Sequence, residues 1–198
     1  MADILNHDFG MDALSQMFND QRLLENRTIF ISEAIDSSVA KRVIGSLLAL
    51  EAQAPGKLIT VYQNSPGGEV NSGFAIYDTM RFISSDVRII NTGLCASIAT
   101  IINLGADKKN RLSLPNCRFL IHQPLIGGTV RGPATDLEIT ATEIIKTRKK
   151  LNSMLAAECK QPLERVEKDT MRDYWMNAKE ALEYGLISRI IENISDID

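Results

Sequence analysis

LITVYQNSPGGEVNSGFAIYDTMRFISSDVRIINTGLCAS, residues 58–97, runs twice through one cycle of short apolar strand, turn and helix. Leu58-Ile59-Thr60-Val61-Tyr62 is a β-branched and aromatic run that reads as a buried strand. Ser65-Pro66-Gly67-Gly68 is a turn, and helical spacing follows from about Val70 to Ile83. Val87-Arg88-Ile89-Ile90 is the next strand, Thr92-Gly93 turns the chain, and a short apolar helix begins near Ser97. Upstream, Thr28-Ile29-Phe30-Ile31 is another β-rich run. Ser37 or Ser38 can cap a helix with Val39, Val43, Leu47 and Leu50 on one face, stopped by Pro55-Gly56. Downstream, strands are expected over Arg111–Leu114 and Arg118–Ile121. A long helix follows from about Ala134 to Glu158, its apolar face formed by Leu137, Ala141, Ile144, Leu151 and Leu155. Asn177 caps a helix that Gly185 ends, and a last apolar run spans Leu186–Ile191. Strands alternating with helices imply parallel β-α-β units with right-handed crossovers, an α/β fold.

A chain of 198 residues suits a single core. With 22 Lys and Arg against 25 Asp and Glu, the net charge of −3 argues against a nucleic-acid binder, which carries a basic patch or stripe. Cys95, Cys117 and Cys159 are far apart and share no metal-ligand spacing, so a reducing cytoplasm is expected rather than a disulfide framework. With His7 and His122 as the only histidines, no zinc site is expected. Residues Met1–Asp8 lack a basic start and apolar run, so no secretory signal is expected. The apolar stretch from Val87 to Ala106 is interrupted by Arg88, Asn91 and Asn103, too often for a membrane span. Residues 1 to about 20 have no clear period and read as a mobile or partner-dependent tail.

Chemistry concentrates at the ends of the strands. In Gly93-Leu94-Cys95-Ala96-Ser97-Ile98-Ala99, Ser97 stands where a strand has ended and a helix starts, flanked by small residues. Free N–H groups and the helix dipole favour negative charge there, so the Ile98 N–H can help hold an oxyanion. A serine at such a place is ordinarily a helix cap. The Ser65–Gly68 turn stands in the same relation to its own strand and helix. Its paired glycines leave N–H groups uncovered, and Gly68 is the natural second donor. The spacing matches neither glycine-rich nucleotide fingerprint, GxGxxG or GxxxxGK[ST]. His122 closes the strand Phe119-Leu120-Ile121, and His7 lies in the unpatterned tail, so His122 is the candidate base. A carboxylate to orient it could be Asp169, Asp173 or Asp136, and spacing does not choose among them.

In this order, Ser65–Gly68, Ala75–Met80, Gly93–Ser97, Ile121–Pro124, Arg172-Asp173 and Glu180–Ile187 resemble the proteolytic subunits of the Clp protease family. The likeness runs from roughly Leu23 to Ile191. It implies a ClpP/crotonase-like fold of repeated β-α-β units with a protruding strand and long-helix handle at about residues 123–159. The peptidase domain would span 21–198, with a docking tail at 1–20. It further implies a serine endopeptidase with Ser97 as nucleophile, His122 as base and Asp173 as orienting acid, and with oxyanion donors on the backbones of Gly68 and Ile98. No metal or organic cofactor is implied. The family assembles as two stacked heptameric rings, a tetradecamer, into which a Clp-type ATPase unfoldase feeds unfolded polypeptide. ATP is used by that partner rather than by this chain.

Several residues depart from the family pattern. Cys95-Ala96-Ser97-Ile98 replaces the usual Ala-Ala-Ser-Met, and Ile98 is stiffer than methionine. The Leu125–Pro133 loop is longer than the commonest handle loop and ends in a proline. Met171 stands where an acidic residue is common before Arg172, and the N-terminal tail is unlike the usual axial segment. These changes lead to the expectation of a mixed ring with a paralogous subunit. The alternatives are an inactive or conditionally active ring subunit and a crotonase-type acyl-CoA enzyme. The latter shares the fold and paired N–H donors, but has no need of Ser97, His122 and Asp173 together.

Overall fold

Strand β1 (Thr28–Ile31) lies parallel to β2 (Ile59–Ser65), and β2 parallel to β3 (Val87–Ala96). Helices α1 (Ser37–Gln53) and α2 (Val70–Phe82) make the crossovers. The structure, a computed structural model, describes residue 19, residues 21–125, residue 127 and residues 131–197. Apart from residue 19, the segment read as a docking tail lies outside the described residues, as do Ile126, Gly128, Thr129 and Val130 of the handle loop. The sheet continues through β4 (Arg111–Ser113) to β7 (Arg189–Ile190), all in parallel, in the order β1-β2-β3-β4-β7. Alternate residues of β2, from Ile59 and Val61 to Gln63 and Ser65, are buried on one side. Their apolar members pack with Val39, Val43, Leu47, Ile76, Ile102 and Leu104 into the main core.

Strand β3 is longer than its sequence suggests. Thr92-Gly93 does not end it. The chain bends there, with Gly93 at φ 41°, and continues to Ala96. Ile89–Asn91 pair with β4, whereas Leu94–Ala96 pair with β5 (Arg118–Ile121), so the sheet forks at the bend. The tip of the fork carries Ser97 and then the fully buried helix α3 (Ile98–Leu104).

Helix α1 is capped by Asp36, whose carboxylate accepts from the Val39 N–H at 2.8 Å. Ser38, one of the two expected caps, instead donates its hydroxyl to Asp36. The long helix α4 (Ala134–Cys159) packs only through its last turns, where Leu151, Asn152, Leu155 and Cys159 are buried. Leu137 and Ala141 of the expected apolar face are exposed, together with Ile139 and Ile145, because this half stands clear of the body. Two elements have no clear sequence signal: α5 (Leu163–Asp169), and β6 (Tyr174–Asn177), which runs antiparallel to β5. Helix α6 (Ala178–Tyr184) begins with a reciprocal cap between Asn177 and Glu180 and ends at Gly185. A side chain at Gly185 would meet the Cys159 carbonyl, so the glycine allows the end of α6 to close on the end of α4.

Candidate active site

Ser97 occupies a sharp turn between β3 and α3, with φ 56° and ψ −126°. A non-glycine residue adopts such a conformation only where its surroundings enforce it. Here the Ser97 N–H donates to the Leu120 carbonyl at 2.8 Å, and its own carbonyl accepts from the Thr100 N–H at 3.0 Å. The side chain makes no capping bond to its helix. Its hydroxyl points the other way and meets His122 Nε2 at 2.8 Å. The ordinary reading of a serine at this place, a helix cap, therefore does not describe Ser97.

His122 follows the last residue of β5, and Asp173 precedes the first residue of β6. Antiparallel pairing of Ile121 with Tyr174 makes the two neighbours across the end of the ladder. His122 Nδ1 lies 3.1 Å from Asp173 Oδ1. The loop before Asp173 is tied to the residue after His122. The Gln123 N–H donates to the Thr170 carbonyl at 2.7 Å, and the Gln123 side-chain amide to the Met171 carbonyl at 2.9 Å. The other two carboxylates are elsewhere. Asp169 accepts from the Tyr184 hydroxyl at 3.2 Å and faces Arg165 at 3.5 Å, and burial with this carboxylate pushes the Tyr184 phenol up. Asp136 lies in the first turn of α4, on its exposed half.

The glycine turn sits against the Ser97 turn. Gly67 has φ 86° and Gly68 φ 154°. The loop is pinned to the segment after β1, with the Ile35 N–H donating to the Gly67 carbonyl at 2.8 Å and the Glu69 N–H to the Ile35 carbonyl at 2.7 Å. The N–H groups of Gly68 and Ile98 carry none of these bonds. A Cβ at Gly67 would stand 2.6 Å from the Ala96 carbonyl oxygen and 2.7 Å from Ser97 Cβ. Close approach is thus a second requirement for glycine, one that the sequence hides behind the first. Beside Ser97 and His122 a recess of about 20 Å³ is walled by Val70, Ile98, Ile101, Pro124, Leu151 and Leu155. A larger hollow of about 730 Å³, between α1 and the segment around Leu24, holds none of these groups.

Cys95, two residues before Ser97, is fully buried, and burial pushes its thiol well up. Burial likewise raises Cys117 and Cys159, each to about 12. All three are free thiols. Among the described residues no cluster of three or more His, Cys, Asp or Glu side chains is placed to hold a metal ion. No helix of the described residues is long and apolar enough to cross a membrane.

The family model for Clp protease matches residues 13–194. The chain belongs to the Clp protease family. Across 179 residues it is 46% identical to the ATP-dependent Clp protease proteolytic subunit of Porphyromonas gingivalis, a match over 90% of this chain and 80% of that one. It is also 46% identical over 177 residues to the ATP-dependent Clp protease proteolytic subunit 2 of Treponema pallidum, covering 89% and 88% of the two chains. The solved structure of a ClpP1 point mutant from Listeria monocytogenes superposes with a TM-score of 0.83 at 39% identity, over 90% of this chain and 98% of that one. The ClpP/crotonase-like fold and the main reading of the sequence, a Clp-type serine peptidase subunit, are both borne out. The acyl-CoA reading gives way to this family match.

Proposed function

We propose that Ser97 is the nucleophile of this peptidase, His122 its general base and acid, and Asp173 the carboxylate that orients the imidazole. One observation carries the assignment: Ser97 Oγ lies 2.8 Å from one nitrogen of His122, whose other nitrogen lies 3.1 Å from Asp173. With Asp173 accepting from Nδ1–H, the lone pair of Nε2 faces the serine hydroxyl. Oγ attacks the peptide carbonyl as its proton passes to Nε2. The charge on the carbonyl oxygen is received by the N–H groups of Gly68 and Ile98, each worth ~3 kcal/mol in such a hole. Collapse breaks the C–N bond, and the leaving amine takes the proton from Nε2. Water, deprotonated by His122, then hydrolyses the acyl-Ser97 ester. Each step uses groups of this chain, with no metal or organic cofactor.

The substrate is unfolded polypeptide delivered by a Clp-type ATPase, which supplies the ATP chemistry, in the cytoplasm. Two stacked heptameric rings form the chamber. The standing half of α4, with Leu137, Ile139 and Ile145 exposed, supports its use as the contact between rings. Met171 is 63% exposed beside Arg172 and Asp173, where an uncharged residue favours pairing with a paralogous subunit. Native mass spectrometry of the chain alone and mixed with such a subunit tests the ring composition.

The site itself is tested by intact-mass analysis after fluorophosphonate treatment, with Ser97→Ala as control. One adduct on the native chain and none on the variant is the expected result. Labelling that survives Ser97→Ala moves the nucleophile elsewhere. Labelling that needs the paralogous subunit makes this a conditionally active ring component.

A further inference from the structure

The β2–β3 ladder fails where the active site begins. Residues pair in step from Ile59 with Val87 to Gln63 with Asn91, and the next pair is Ser65 with Cys95. Asn64 therefore faces Thr92, Gly93 and Leu94 together, at the same place where β3 leaves β4 for β5. Beyond the break, β2 carries the Gly67-Gly68 turn and β3 carries Ser97. The spacing of these two chain ends sets an oxyanion donor against the nucleophile.

Side chains cross the gap. Asn64 Oδ1 accepts from the Leu94 N–H at 3.0 Å, and the Thr92 hydroxyl donates to the Gln63 carbonyl at 3.2 Å. Gln63 itself has no exposed surface, and its Nε2 donates to Asn91 Oδ1 at 2.9 Å, to the Ala99 carbonyl at 3.1 Å and to Cys95 Sγ at 3.2 Å. One amide thus holds β3 on both sides of the break and the first turn of α3. The tie continues from Asn91 Nδ2 to Asn103 Oδ1 at 2.8 Å, and from Asn103 Nδ2 to the Leu186 carbonyl at 2.8 Å across the core. Burying an amide is costly unless it is bonded; here the NH2 half is bonded, which narrows the geometry it accepts, while Oε1 has no partner among the described residues. Packing alone does not ask for it, since the preceding inward positions of β2 are Ile59 and Val61.

We infer that Gln63 is a positioning residue for the peptidase reaction: its side-chain amide fixes the spacing of the Gly67-Gly68 turn and the Ser97 turn where the backbone ladder does not. It touches no reacting atom. The inference rests on the assignment of Ser97, Gly68 and Ile98 made above.

The test compares full-length wild type, Gln63→Met and Asn64→Ala. Gln63→Met keeps the length of the side chain and loses the amide, while exposed Asn64 gives a neighbouring tie whose removal leaves the core intact. The measurements are the rate of fluorophosphonate labelling at Ser97, kcat and KM on a fluorogenic peptide, and Tm. Labelling and kcat of folded Gln63→Met fall together by about tenfold to a hundredfold, the order expected when a catalytic group shifts by up to 1 Å. KM stays near wild type, and the pH of half-maximal labelling does not move, because His122 and Asp173 lie outside the tie. Asn64→Ala falls in the same direction by a smaller factor. A Gln63→Met protein that melts lower yet labels and turns over at the wild-type rate makes Gln63 purely structural and overturns the proposal. If Gln63→Met does not fold, Gln63→Asn, which draws the amide back from its partners by one methylene, replaces it, and a wild-type labelling rate in that variant overturns the proposal. Failure of the nucleophile assignment looks different: wild type itself is not labelled at Ser97, before any variant of β2 is made.

Discussion

Replacing Gly67 by alanine separates two demands that a glycine can meet. At φ 86°, the new Cβ would lie 2.6 Å from the Ala96 oxygen, 2.7 Å from Ser97 Cβ and 3.1 Å from the Ile98 nitrogen. These neighbours are backbone or the stem of the nucleophile, so none can swing aside. Restoring ordinary contact requires the two turns to part by about 0.8 Å. The Gly68 N–H retreats with its loop, and a displacement of that order at a catalytic group costs about 10²-fold in rate. The left-handed conformation adds ~1–2 kcal/mol of lost stability, and overpacking a further ~1–3 kcal/mol. Gly56 is the matched control, with φ 75° and nothing within 4 Å of the place a methyl group would take. Gly56→Ala loses only the conformational part, ~1–2 kcal/mol, and keeps its kcat. The assay pairs fluorophosphonate labelling and peptide hydrolysis with chemical denaturation of both variants. Gly67→Ala labelling near the wild-type rate, or Gly56→Ala losing as much activity, refutes the close-approach reasoning.

Asp173→Asn leaves the fold unchanged, because the side chain is 63% exposed, yet lowers kcat by about 10²–10⁴-fold, read by steady-state kinetics beside an unaltered Tm. Lys160 ends α4 in the left-handed conformation at φ 56°, so Lys160→Gly raises stability by up to ~1 kcal/mol in denaturant titrations. Glu51 ties the end of α1 to the loop before β3, and hydrogen bonds from the Ser84 side chain and then Ser85 hold its carboxyl at about 2, below its ordinary 4.5. The stability it contributes is present above pH 4.5 and is lost as pH falls towards 2. The difference in stability between wild type and Glu51→Gln therefore shrinks over that window, while a constant difference would detach Glu51 from the effect.

The repeated strand, turn and helix of residues 58–97 is legible because each unit is local: apolar runs, a glycine pair and helical spacing act within a few residues. Ser97 and His122 can be singled out for the same reason, since each stands at the end of an apolar strand whose neighbours are covalent ones. Gln63 lies one residue beyond the run read as a strand, so its inward place, in step with Ile59 and Val61, is legible only by extending that run. What that amide bonds to is not legible, because Asn91, Cys95 and Ala99 meet it only across the fork of β3. The choice among three carboxylates also needs the tertiary structure: Asp173 reaches His122 through the pairing of β5 with β6, whose partners are some fifty residues apart in sequence. The half of α4 that carries Leu137 has a helical pattern as clear as the half that carries Leu151, yet only the latter is buried in this chain. Periodicity records which residues share a face. Burial depends on what lies opposite that face, and pairing on which strand ends the fold brings together, so both are settled only when distant parts of the chain meet.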